Sequence, residues 1–116
     1  MSYGVYFTDP VSREVIELKD VHYMRGGTYA VGGTKDLYLN ITYNYARNYA
    51  KHDFSIRDLN EKTAFEAITE LERVIQLLGD DVTDNYWDAT DGNAKRALIS
   101  LLTMAKIRPD AIIEIG

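Results

Sequence analysis

The stretch Asp91-Gly92-Asn93-Ala94-Lys95-Arg96-Ala97-Leu98-Ile99-Ser100-Leu101-Leu102-Thr103-Met104-Ala105-Lys106-Ile107-Arg108-Pro109 decides the fold class, because it carries the clearest helical period in the chain. Ala94, Ala97, Leu98, Leu101, Leu102 and Ala105 recur at i, i+3, i+4, i+7, i+8 and i+11, one face of a 3.6-residue repeat. Asp91 or Asn93 is placed to cap the start. Pro109 ends it, since a prolyl ring disfavours helical dihedrals in the residue before it.

Working back from that helix, Thr63-Ala64-Phe65-Glu66 matches a capping box, in which the threonine oxygen takes an orphan amide and the glutamate reaches back. Ala64, Ala67, Ile68, Leu71, Val74, Ile75 and Leu78 then form a second stripe, which predicts a helix closed by Gly79 as a left-handed cap. The two stripes supply about ten large aliphatic side chains, each contributing roughly 1.5–3 kcal/mol on burial, enough to hold a helix pair against a sheet. Between them, Asp80 to Gly92 holds five aspartates and the only tryptophan. Thr83 or Asp84 is expected to cap a helical turn there, with Tyr86 and Trp87 facing inward.

The first half reads as strand. Tyr3 to Thr8 and Glu14 to Leu18 alternate about the Asp9-Pro10 turn pair, a first β-hairpin. Two glycine pairs follow. A short strand at 28–31, a Gly32-Gly33 turn and a long strand from Asp36 to Tyr43 make a second hairpin, with Leu37, Leu39, Ile41 and Tyr43 on its core face. A short helix capped by Asn44 carries Tyr45 and Tyr49 at i and i+4. Ile56 and Leu59 are expected to anchor the polar connector after it, and the apolar tail Ala111 to Gly116 is expected to dock as an edge strand. The expected fold is therefore α+β, an antiparallel sheet of two N-terminal β-hairpins packed against two or three C-terminal α-helices, in a single domain spanning 1–116.

Composition narrows the functions. The chain has 116 residues, a net charge of −5 and no cysteine. Its acidity disfavours nonspecific binding to nucleic acid or to an anionic membrane, and without thiols there is neither a thiolate metal site nor a thiol nucleophile. No apolar run approaches the roughly 18 residues of a membrane span, and Met1-Ser2-Tyr3-Gly4 has neither a charged n-region nor an apolar h-region. Nine tyrosines, most of them in the first half, suit half-buried sheet faces and recognition surfaces alike.

The motifs for chemistry are few. Started at Asp81, an EF-hand loop would need glycine where Tyr86 stands and glutamate where Gly92 stands, so the acidic connector reads as solvated, helix-capping loop. His22 and His52 stand in no ligand spacing, and the sequon Asn40-Ile41-Thr42 reads as coincidence. No nucleophile elbow, phosphate loop or dinucleotide fingerprint is present, so no enzyme, metal or cofactor is expected. Arg25-Gly26-Gly27-Thr28 reads in two ways. Paired glycines make turns and bulges; alternatively their amides turn toward an anion beside the Arg25 guanidinium. Arg57, Lys95, Arg96 and Arg108 are the other cations placed to join, Lys95 or Arg96 foremost because the start of the last helix favours an anion.

The words Met24-Arg25-Gly26-Gly27-Thr28-Tyr29-Ala30, Gly33-Thr34, Leu39-Asn40-Ile41-Thr42-Tyr43-Asn44-Tyr45, Gly92-Asn93-Ala94-Lys95-Arg96-Ala97-Leu98 and Arg108-Pro109-Asp110 have an order and spacing of their own. Over nearly its whole length the chain resembles a family of small uncharacterised proteins of bacteriophages, prophages and other mobile elements. Ala111 and Ile113 stand where a Gly and a Trp often follow the Arg-Pro-Asp of that family. The resemblance implies a phage or prophage context in the host cytoplasm and no particular chemistry. Three functions are expected in order: an accessory protein that binds a host or phage protein and inhibits a host factor or defence component; a binder that sequesters a nucleotide or other phosphorylated metabolite through Arg25, Gly26, Gly27 and Lys95 or Arg96; and a virion assembly component. Association into a homo-oligomer is compatible with all three.

Overall fold

In the computed structural model, which describes residues 1–28, 32–85 and 87–116, the first strand is the centre of the sheet. β1 (Ser2–Thr8) lies between β4 (Tyr38–Thr42) and β5 (Ile112–Ile115), antiparallel to both. Val5 faces Leu39 across one ladder and Ile115 across the other, and Phe7 faces Ile113. Because alternate residues share a face, Val5, Phe7, Leu39, Ile41 and Ile113 all enter the core, where each is at most 2% exposed. Tyr6 and Tyr38 meet on the opposite face with ring centroids 4.7 Å apart.

A second, two-stranded antiparallel sheet pairs β2 (Glu17–His22) with β3 (Thr34–Asp36). The expected first hairpin closes only briefly. Asp9 N–H donates to the Glu14 carbonyl and Thr8 bridges Val15, and beyond that β2 leaves β1 for β3. The expected 36–43 strand is two strands broken at Leu37. There Phe7, Ile16 and Leu37 exchange three backbone hydrogen bonds in a closed ring: Phe7 N–H to Leu37, Leu37 N–H to Ile16, Ile16 N–H to Phe7. All three side chains are buried, so the two sheets are joined through the core. The expected strand at 28–31 lies outside the described residues except for Thr28, which is in neither sheet.

Three helices complete the α+β fold. A 3-10 turn at Tyr43–Tyr45 runs into α1 (Ala46–Ala50). Its cap is Thr42 rather than Asn44: the Thr42 hydroxyl accepts from Asn44 N–H, while the Asn44 amide crosses to the Trp87 carbonyl. α2 (Ala64–Leu77) starts at the Thr63–Glu66 capping box read in the sequence, with both reciprocal bonds at 3.1 Å. It does not end in a left-handed glycine. Leu78 leaves in an extended conformation, and Gly79 is not among the glycines with positive φ. α3 (Asp91–Ile107) is capped by Thr90, not by Asp91 or Asn93. Its stripe is buried as expected, except that Leu102 is only half-buried and Met104 is buried in addition.

Both edges of the three-stranded sheet are covered, which removes the template an open strand presents to other chains. Along β5, Ile113 exchanges backbone hydrogen bonds with Glu61 and Lys62, and Ile115 N–H donates to the Asn60 side chain. Along β4, the chain at Gly26 runs parallel to Ile41, and Thr42 N–H donates to the Gly26 carbonyl at 2.8 Å. The connector between α2 and α3 has no helical turn among its described residues, and Trp87 is 48% exposed rather than turned inward; Tyr86 lies outside the described residues. Among the described residues no helix is long and apolar enough to cross a membrane.

Candidate binding cleft between Arg25 and Arg96

The covering of β4 by residues 26–28 explains both glycines. A Cβ at Gly26 would collide with the Asn40 carbonyl oxygen and the Ile41 side chain. Gly27 has φ of 83°, and a Cβ there would run into the Tyr45 hydroxyl and ring. The turn-and-close-approach reading therefore accounts for the pair without an anion. It also has a consequence for function: the tight seam fixes Arg25, the residue just before it, at the rim of β4 and within reach of α3.

Opposite it stands the first turn and a half of α3. Asn93 is buried and immobilised: its Nδ2 lies 3.1 Å from each of the Thr83 hydroxyl, the Asn85 carbonyl and the Asp88 carbonyl, while its Oδ1 accepts from Thr83 N–H. One turn further, Arg96 stands exposed beside it. Arg25, Gly27, Tyr45, Asn93 and Arg96 line one cavity of about 190 Å³. A second cavity, of about 370 Å³, shares Arg25 and Arg96 and adds Tyr23, Met24, Ile99 and Ser100. Neither contains a carboxylate among its described lining residues, although the chain has 18 acidic side chains.

Three of the five residues singled out in the sequence thus meet here, Arg25, Gly27 and Arg96, while Gly26 packs against Asn40 and Ile41 and lines neither cavity. Lys95 does not join them. Its Nζ lies 2.7 Å from the Asp80 carboxylate, beside the Leu78 carbonyl. Arg57 lies over the Tyr3 ring and Arg108 pairs with Asp110 and Asp9, so neither joins. The helix-terminus contribution is also taken up internally. Gly92 N–H donates to Asp81, and Asn93 and Ala94 N–H donate to Thr90, so these α3 amides are not available to a ligand. Tyr45 and Asn93 were not singled out in the sequence, where a buried tyrosine at a short helix and an asparagine in a first turn read as ordinary core and cap.

A third cavity, about 360 Å³, lies between the two sheets with His22, Thr28, Asp36 and Tyr38 in its wall, and it too touches Arg25. His22 is used structurally, with Nε2 2.7 Å from the Asp36 carbonyl and Nδ1 accepting from Met24 N–H. Behind the cleft, Tyr49 donates to the Ala94 carbonyl at 2.9 Å, and burial holds its phenol protonated well above the usual tyrosine range.

On the far side of the α3 start, Asp91 accepts from Asn48 Nδ2 at 2.8 Å, from Lys51 at 2.9 Å and from Gly79 N–H at 3.3 Å. The Asn48 hydrogen bond, then that of Lys51, lowers its carboxyl to about 2. Asn48 also donates to the Ala89 carbonyl, so with Asn93 holding Thr83, Asn85 and Asp88 the two asparagines fasten the middle and the C-terminal end of the acidic connector. Among the described residues no cluster of three or more histidine or acidic side chains is placed to hold a metal ion. The chain matches no protein-family model, no curated protein and no solved structure.

Proposed function

We propose that the protein is a non-enzymatic accessory protein of a bacteriophage, prophage or related mobile element, acting in the host cytoplasm by binding a host or phage protein. The observation that carries this reading is the meeting of Arg25 and Arg96, 71 positions apart in the chain, on one face beside exposed Tyr23 and Ile99. Arginine and tyrosine beside an aliphatic contact are the side chains that dominate protein interfaces. A carboxylate-free cationic spot on a chain of net charge −5 orients an incoming partner. Binding is favoured over catalysis by what the cleft contains: two guanidiniums, an amide whose hydrogens are used, and a phenol, with no carboxylate, imidazole or nucleophile–base pair among its described residues.

The test is affinity purification of the tagged protein from host cells, wild type beside Arg96→Glu. A partner retained by the wild type and lost from the variant is the expected result. Identical sets of proteins on both would contradict it.

A further inference from the structure

We propose that β2 is the surface through which two copies of this chain pair, its bare edge lying antiparallel to the same edge of the second copy with Val21 on the twofold axis. The inference stands apart from the partner reading above. The fold covers both edges of the three-stranded sheet and leaves β2 uncovered: outside its pairing with β3, no backbone group of residues 17–22 hydrogen-bonds another described residue. Between its two registered pairs β2 advances from Glu17 to His22 while β3 advances only from Asp36 to Thr34, so β2 carries more amides and carbonyls than β3 can take. An edge of this kind is a template for another strand.

What selects a second copy is the order of the side chains. A twofold axis perpendicular to an antiparallel ladder keeps each side chain on its own face, so one residue must lie opposite itself. Glu17, Lys19 or Asp20 on the axis sets like charges together, and His22 on the axis sets Lys19 against Arg25. Leu18 on the axis stops the ladder at Ile16, whose N–H and C=O already serve Phe7 and Leu37. Val21, 44% exposed, instead packs on its own mate, and Lys19 then lies opposite Tyr23, 70% exposed, where an ammonium meets an aromatic face. On the other face Asp20 lies opposite His22, so no like charges meet. Lys19 and Asp20 are exposed, and neither has an ion-pair partner among the described residues. Tyr23 also borders the Arg25–Arg96 cleft, so a partner bound there competes with the second copy.

The ladder from Lys19 to Tyr23 falls well short of the roughly 20–30 residues a side of a standard interface, so the dimer is weak and is read in a concentration series reaching about 1 mM. In sedimentation the whole chain should rise from 13.2 kDa toward twice that mass. Val21→Lys, which sets two ammoniums on the axis, should raise the dissociation constant about tenfold or more. Cross-linking checks the register. The chain has no cysteine, so in Val21→Cys any disulfide joins two copies, and residues paired on the axis lie about 4.5–5.5 Å apart at Cα, within a disulfide's span. In Lys19→Cys the two thiols stand at opposite ends of the ladder, roughly 13 Å apart and too far to bridge. Both positions are exposed, so the variants should melt with the wild type. A wild type that stays monomeric across the series, a Val21→Lys variant that pairs as tightly as the wild type, or Lys19→Cys cross-linking as fast as Val21→Cys overturns the proposal.

Discussion

Replacing Asp91 by Asn removes the charge at the point where α1, the acidic connector and α3 are tied together. The Asp91 carboxylate accepts from Asn48 at 2.8 Å and from Lys51 at 2.9 and 3.1 Å, and its second oxygen also accepts from Gly79 N–H. Those donors lower its carboxyl from 3.8 to about 2. A gap of nearly two pH units, at about 1.4 kcal/mol per unit, corresponds to about 2 kcal/mol of folding free energy. The side chain is only 21% exposed, so solvent screening takes little from that figure. Because the folded-state value lies below the unfolded one, the stabilisation is fully present above pH 4 or so and is lost as the pH falls toward about 2. Urea unfolding at pH 7 should find Asp91→Asn less stable by about 2 kcal/mol, and at pH 2.5 the difference should have shrunk to less than half of that. A difference below about 0.5 kcal/mol at pH 7, or the same difference at both pH values, would refute the assignment of Asp91 as the ionic tie.

In the core, Leu71→Ala and Leu101→Ala should each cost about 2–5 kcal/mol by thermal or urea unfolding, since both side chains are fully buried. The exposed Glu72→Ala should stay within about 0.5 kcal/mol. Thr63→Ala opens the capping box of α2 and should cost about 0.5–2 kcal/mol. The glycines should rank Gly27 far above Gly79. Gly27→Ala meets both positive φ and the Tyr45 ring, whereas at Gly79 the nearest atom to an added Cβ is 3.4 Å away, so melting curves showing the reverse order would contradict the seam described at Tyr45.

What was legible in the sequence was whatever depends on near neighbours. The stripes of α2 and α3, the Thr63–Glu66 box, the stop at Pro109, the anchors Ile56 and Leu59 and the docked tail follow from spacing within a few residues, and the structure has each of them. Strand partnership was not legible, because alternation specifies which face is buried and not which strand lies alongside. β1 pairs with β4 and β5, and the tail that completes the sheet lies over a hundred residues from Ser2. The caps at Thr42 and Thr90 each precede an asparagine or aspartate that also fits the role and is instead drawn off to a distant partner, Asn44 to Trp87 and Asp91 to Lys51. At the cleft, the glycines and the charges led to the expectation that Arg25 lies near the start of the last helix, and Arg25 and Arg96 do line the same cavities. That Arg96 and not Lys95 lines them was not legible, since it turns on Asp80 lying close enough to take the lysine.

The measurement that tests the proposed binding most directly is an ¹H–¹⁵N NMR titration of the whole chain with the protein it retains from host cells. Resonances that move at Arg25 to Gly27 and from Asn93 to Arg96, unperturbed at Lys51, Asp91 and along β5, and silent in Arg96→Ala, are the predicted result. No movement at any partner concentration, or movement centred on another part of the surface, would contradict the claim that the face carrying Arg25 and Arg96 is the binding surface of this protein.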